Sequence, residues 1–186
     1  MATALARRYK VFLIVSLVVV VIDQVTKWIA RARLEFGRPV AVIQGYFDWR
    51  LSYNKGSAFG MFSSTTGARI FLTIVGIAAC AFIVHVLRKA EDWQKWFTTA
   101  LALVAGGAVG NVIDRLLDGK VTDFVVWKVG TTEWPAFNVA DAALVAGVVI
   151  MFLDLGREQK KMREKKLAEK ESDREKKQAE KKSKKK

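Results

Sequence analysis

Residues 111–141 read NVIDRLLDGKVTDFVVWKVGTTEWPAFNVAD, a polar interruption joining two long apolar runs. Within it stand Asn111, Asp114, Arg115, Asp123, Asn138 and Asp141. Ionisable groups at or near bilayer hydrocarbon are costly and tend to mark function, so these residues need an account before the apolar segments do. Working outward, the apolar residues are gathered in runs rather than spread at globular periodicity, which is a membrane signature. Arg7, Arg8 and Lys10 precede VFLIVSLVVVVI, which has the basic and apolar regions of a secretory signal. No small-x-small cleavage site follows; Asp23, Gln24, Lys27 and the interface-type Trp28 come instead. Residues 10–30 therefore read as a retained transmembrane helix about 30 Å long. Further runs at 68–87, 96–115 and 137–155 make four crossings, and the third holds Gly106 and Gly110. That spacing either lets helices approach closely or softens the helix.

Between the crossings, VAVIQGYFDWRLSYN (40–54) and KVTDFVVWKV (120–129) alternate as strands do, and NKGSAFGMF (54–62) reads as a turn with closely spaced small residues. The expected fold class is an all-α membrane protein, four transmembrane helices with a small extracytoplasmic β-rich element. Its expected division is a four-helix membrane domain over 1–156 and a basic low-complexity tail over 157–186.

That tail accounts for most of the formal net charge of +13, since it holds 15 Lys or Arg against 7 Asp or Glu. Nucleic acid is therefore not an expected partner. A solvated helix or a disordered tail is the default, with attraction to anionic lipid next. The excess of positive charge places both chain ends in the cytoplasm. Cys80 and His85 are the only residues of their kinds, too few for an ordinary closed zinc site, and no metal or cofactor is expected. His85 falls a membrane thickness from the aspartates, which argues against a Ser–His–Asp set. A serine with a lysine base, Ser57 or Ser63 with Lys27 or Lys55, stays conceivable.

Depth along the helices brings Asp23, Asp114, Asp123 and Asp141 to one level near the outer face. Each of three has a plain structural reading. Asp23 and Lys27 are four apart and can pair on a helix face; Asn138 with Asp141 resembles an N-cap with an acidic third residue; Asp114, Arg115 and Asn111 can be packing glue built on one ion pair. Asp123 lacks a local role, because it interrupts an apolar strand. Two carboxylates about 4 Å apart repel by roughly 4 kcal/mol at an effective dielectric of 20, about three pKa units, so such a pair keeps one proton near neutrality. One member then takes a proton from water while the other polarises a carbonyl. A small transporter with intramembrane acids and a noncatalytic assembly factor are the rival readings.

VIDQVTKW, YNKGSAFG, GNVIDR, VTDF and FNVADA occur in that order over most of residues 10–155. Together they resemble the lipoprotein signal peptidase family (signal peptidase II). The resemblance implies an intramembrane aspartic endopeptidase of the bacterial inner membrane that works without a cofactor. It would cut prolipoproteins just before a diacylglyceryl-modified cysteine, with its site near the outer face. It assigns Asp123 and Asp141 to the catalytic pair. Asp23, Lys27, Asn54, Gly56, Asn111, Asp114, Arg115 and Asn138 fall to substrate binding or support of that pair. Ser57 stands where the family more often has alanine, and the tail extends past the usual family end. Membrane lipids and lipidated precursors are the expected partners, a monomer the expected state, and Phe47, Trp49, Phe59 and Trp127 an expected peptide cradle.

Overall fold

The computed structural model describes residues 6–56 and 65–183, the side chains of 65 and 165–183 excepted; Ser57, Phe59 and Ser63 lie outside the described residues. It contains helices α1 (Arg7–Arg33), α2 (Thr65–Lys89), α3 (Lys95–Leu117) and α4 (Val139–Ser183). Strands β1 (Val40–Ile43), β2 (Phe47–Asn54), β3 (Val121–Val129) and β4 (Thr132–Glu133) form one antiparallel sheet in the order β1-β2-β3-β4. Each helix carries an apolar stretch long enough to cross a bilayer. Leu13, Ile14, Leu17 and Val21 on α1 and Ile70, Ile74 and Phe82 on α2 are exposed, the inverse of a water-soluble bundle. This is a multi-pass membrane protein.

The helices outrun the apolar runs at most ends, since a helix need not stop where the hydrocarbon does. The largest departure is α4, which continues through the basic tail to Ser183. At about 1.5 Å per residue its 45 residues span about 68 Å, more than twice a hydrocarbon core. No proline occurs after Pro135, and Lys, Glu, Arg and Gln are good helix formers, so propensity carries the helix beyond the lipid boundary.

α3 is the hub of the bundle, packing against all three other helices and burying Ala100, Leu101, Ala102, Ala105 and Val112. Its glycines bring the backbones together. A Cβ on Gly106 would lie 2.9 Å from the Ser16 carbonyl oxygen of α1, and one on Gly110 would lie 2.5 Å from Asp23 Oδ2. Close approach, and not softness, is what this pair provides. Gly107 faces α4, where a Cβ would overlap the Ala140 carbonyl oxygen and meet Leu144 Cγ at 2.9 Å. Gly107→Ala gains about 1 kcal/mol of helix propensity and loses about 3 kcal/mol to overpacking. Its thermal midpoint in detergent is therefore expected to fall, and a midpoint at or above wild type would contradict this packing.

The sheet caps one end of the bundle. Gly45 (φ +82°) makes the tight turn between β1 and β2, and Gly119 (φ +72°) the turn from α3 into β3. A register shift in β2 between Trp49 and Ser52 sets Ser52 opposite Asp123 and Asn54 opposite Val121. Residues 121–124 are buried on both faces, which withdraws Thr122 and the carboxyl group of Asp123 from water along with Val121 and Phe124.

Candidate active site

The polar residues converge where the C-terminal ends of α1 and α3, the N-terminal end of α4 and the start of β3 meet. Asn138 caps α4 as a reciprocal box: its Oδ1 accepts from Asp141 N–H (3.0 Å) and its own N–H donates to Asp141 Oδ2 (3.2 Å). The capping reading of this pair is thus realised, yet it is not the whole of it. Asn138 Nδ2 also donates to Asp123 Oδ1 at 2.7 Å and to Asn111 Oδ1 at 3.2 Å. One buried amide residue therefore holds both carboxyl groups, Asp123 by its side chain and Asp141 by its backbone.

Asn111 completes the frame, donating from Nδ2 to Asp141 Oδ1 at 2.8 Å. Asn54 hydrogen-bonds Asp123, and its Oδ1 accepts from Gly56 N–H at 2.9 Å. Gly56 has φ +80° and a Cβ there would lie 2.6 Å from Leu72 Cδ1, so this turn requires glycine. Burial first, then the charge of Asp141, pushes the Asp123 carboxyl up to about 7; the hydrogen bonds from Asn138 and Asn54 and the ammonium of Lys27 pull the other way. Near neutrality Asp123 is poised between acid and carboxylate, which is the condition for a proton donor to a carbonyl oxygen.

Beneath the pair lies a buried ionic cluster. Lys27 Nζ reaches Asp23 Oδ2 at 2.9 Å, Asp114 Oδ2 at 3.1 Å and Asn111 Oδ1 at 3.0 Å, so all three ammonium protons have acceptors. The Asp23–Lys27 pairing of a helix face is present, but both groups are buried against α3 and not at a surface. An ion pair between Asp114 and Arg115 is not what forms. Asp114 turns to Lys27 and to Thr122 N–H (2.9 Å), because successive helical residues point about 100° apart. Arg115 donates from Nη1 to the Asn111 carbonyl oxygen at 3.2 Å.

Three contributors escaped sequence reasoning. Gln24 Nε2 lies 3.1 Å from Asp23 Oδ2, from Asp114 Oδ1 and from the Gly110 carbonyl oxygen. Arg31 Nη1 donates to Thr122 Oγ1 at 2.9 Å. Arg69 donates from Nε to the Arg115 carbonyl oxygen (2.9 Å) and from Nη2 to that of Leu116 (3.3 Å), a cation on the C-terminal carbonyls of α3. Gln24 lay inside the VIDQVTKW string and was legible there; Arg69 had no local signal. Of the aromatic residues, Trp127 meets Phe137 edge-on, and both line a cavity of about 400 Å³ that opens beside Asp141. Farther along the sheet Phe47 packs on Trp49, and Trp49 on Phe124.

A membrane-embedded bundle that holds a buried aspartate, Asp123, and a part-buried one, Asp141, on the same asparagine at one end has the groups that aspartic-type hydrolysis uses. Comparison with known proteins agrees: residues 15–157 match the family model described as Signal peptidase (SPase) II. The chain belongs to the signal peptidase II family, and it is an aspartic peptidase. It is 45% identical over 141 residues to the lipoprotein signal peptidase of Janthinobacterium sp. (strain Marseille), covering 75% of this chain and 84% of that one. To the same enzyme of Geobacter metallireducens it is 41% identical over 155 residues, 82% and 94% of the two chains. A solved bacterial membrane enzyme structure, determined by the in meso method at 2.3 Å resolution, superposes with a TM-score of 0.71 at 31% identity. That likeness covers 80% of this chain and 88% of the other.

Proposed function

We propose that Asp123 and Asp141 are the catalytic pair of a signal peptidase that cuts prolipoproteins immediately before a diacylglyceryl-modified cysteine. The observation that carries this reading is Asn138, whose Nδ2 and backbone N–H hold Asp123 and Asp141 at 2.7 and 3.2 Å. Asp123 carries the proton and donates it to the scissile carbonyl oxygen. Asp141, whose two oxygens accept from Asn111 and Asn138, takes a proton from water. The oxygen of that water bonds to the carbonyl carbon; Asp141 then passes its proton to the leaving nitrogen as the C–N bond breaks, and a hydroxyl of the intermediate returns a proton to Asp123 as the carboxyl product forms. Asn54, Gly56, Asn111, Arg115 and Asn138 hold the pair or the substrate, and Asp23, Lys27 and Asp114 support them from below. The cavity beside Asp141, lined by Trp127, Trp134 and Phe137, supports binding of an apolar flank of the substrate at this point.

The protein lies in the bacterial inner membrane as a monomer, with both termini in the cytoplasm and the sheet at the outer face. Arg7, Arg8 and Lys10 before α1 and the basic stretch after Leu155 support that orientation. Residues 1–156 act as the peptidase unit, and 157–186 as a cytoplasmic extension. The test is the purified protein with two precursors that differ only in lipidation of the cysteine. Cleavage is expected of the diacylglyceryl form alone, with mass spectrometry placing the new N-terminus at that cysteine; equal cleavage of both, or a cut elsewhere, would overturn the assignment.

The position of Asp123 sets the pH dependence. Its proton is lost as pH rises through about 7, and with it the acid that polarises the carbonyl. Turnover is expected to fall above neutrality by about tenfold per pH unit. A rate held constant to pH 9 would remove Asp123 from that role.

A further inference from the structure

The ionic cluster under the pair is more elaborate than support alone requires. Lys27, Asp23 and Asp114 are fully buried, and an ion pair so placed is an expensive way to hold helices together, since apolar side chains of the same volume do it as well. What distinguishes the cluster is which backbone groups its carboxylates also hold. Asp23 Oδ1 accepts from Ala140 N–H at 2.9 Å, the residue immediately before Asp141. Asp114 Oδ2 accepts from Thr122 N–H at 2.9 Å, the residue immediately before Asp123. Each cluster carboxylate thus grips the backbone one residue ahead of one member of the pair, on α4 and β3 respectively. Lys27 then ties the two carboxylates to each other.

The third ammonium proton goes to Asn111 Oδ1 at 3.0 Å. A cation on that oxygen fixes which way the amide faces, so that Nδ2 and not Oδ1 is presented to Asp141. Reversed, the amide would set an oxygen against a carboxyl oxygen.

We infer that Lys27 is a positioning residue that sets the separation of Asp123 and Asp141, acting through Asp23 on Ala140, through Asp114 on Thr122 and through the Asn111 amide. This rests on the assignment of those two aspartates as the catalytic pair. Lys27 is fully buried and acts only through these contacts, holding the strand and the helix in a frame of fixed width. Catalysis by a shared proton needs that width, because a displacement of about 1 Å costs on the order of 100-fold in rate.

The test uses the full-length protein in lipid nanodiscs with a diacylglyceryl-modified precursor. Lys27→Met removes the ammonium and leaves two carboxylates facing each other. Lys27→Met/Asp114→Asn removes one charge of each sign, so that the fold is relieved of that repulsion while the tie stays absent. Both are expected to lose about 100-fold in kcat with KM within about twofold of wild type, because the substrate's own contacts are untouched. A folded variant of either kind with wild-type kcat would overturn the inference, as would a raised KM with kcat unchanged, which would make Lys27 a substrate contact. Gln24→Met, which takes away the further donor shared by Asp23 and Asp114, is the milder form, with kcat expected down about tenfold. Should neither Lys27 variant fold, wild-type kcat in Gln24→Met decides against the frame. Asp123→Asn and Asp141→Asn run alongside as controls. Activity in those variants refutes the catalytic pair itself, whereas dead controls beside a normal Lys27→Met refute only the frame.

Discussion

Asp123→Asn and Asp141→Asn are each expected to give a folded, membrane-inserted protein whose cleavage of a lipidated precursor is lowered by about 10³-fold or more. An amide has nearly the shape of a carboxyl group, so the bundle is kept while the proton relay is lost. The two variants part company in stability. In the native protein the Asp123 carboxyl titrates near 7, whereas in the unfolded chain it returns to an ordinary value near 3.8. The native state therefore binds the proton more tightly, and the favourable contribution is complete below about pH 4. It is lost as pH rises through about 7, by a few kcal/mol in all. Asp123→Asn abolishes that loss. Its thermal midpoint should rise relative to wild type at pH 8 and much less at pH 5. Equal differences at both pH values would show that the carboxyl is not strained by its burial.

Replacement of Asn138 carries the next largest effect, because a single buried side chain serves a helix cap and both aspartates. In Asn138→Leu the volume is kept, but the acceptor for Asp141 N–H and the donor to Asp123 are both gone. Loss of an N-cap costs about 1 kcal/mol. The unsatisfied buried groups add about 1–3 kcal/mol more. Activity should fall by about 100-fold, since the carboxyl groups lose their common anchor. The residual activity carries a sharper signature. The Asn138 hydrogen bond pulls the Asp123 carboxyl down, so without it the alkaline decline in rate should move to higher pH than in wild type. Steady-state rates between pH 5 and 9 read this directly, and a decline at the wild-type pH would mean that Asn138 acts only as a cap.

The lesson of Lys27 and Asp114 is that local spacing gives only part of a buried charge's partners. Four residues apart on a helix, Asp23 and Lys27 suggest a pair on one helix face, and that pair forms; adjacent in sequence, Asp114 and Arg115 suggest a local pair, which does not. In the fold, Lys27 reaches across to α3, Asp114 turns from Arg115 toward Lys27 and Thr122, and Gln24 bridges both acids. A buried charge takes the partners that the neighbouring element offers, since water is not there to accept the remainder.

Four crossings, the two strand segments and the polar level at which they end were all written in one dimension. Apolar run length and period-two alternation are properties of neighbours in the chain, and a bilayer of fixed thickness reads them directly. Motif order was legible for the same reason and led to the family. Helix α4 running on to Ser183, the reach of Arg69 to the end of α3 and the service of Asn138 to both aspartates were decided only by the packed chain. Such contacts join residues far apart in sequence, or arise where intrinsic propensity outlasts the lipid. The route by which both are held belongs to the same class: 18 positions separate Asp123 and Asp141 in the chain, and the turn from β3 into α4, with one asparagine at the corner, brings them to a common hydrogen-bond donor.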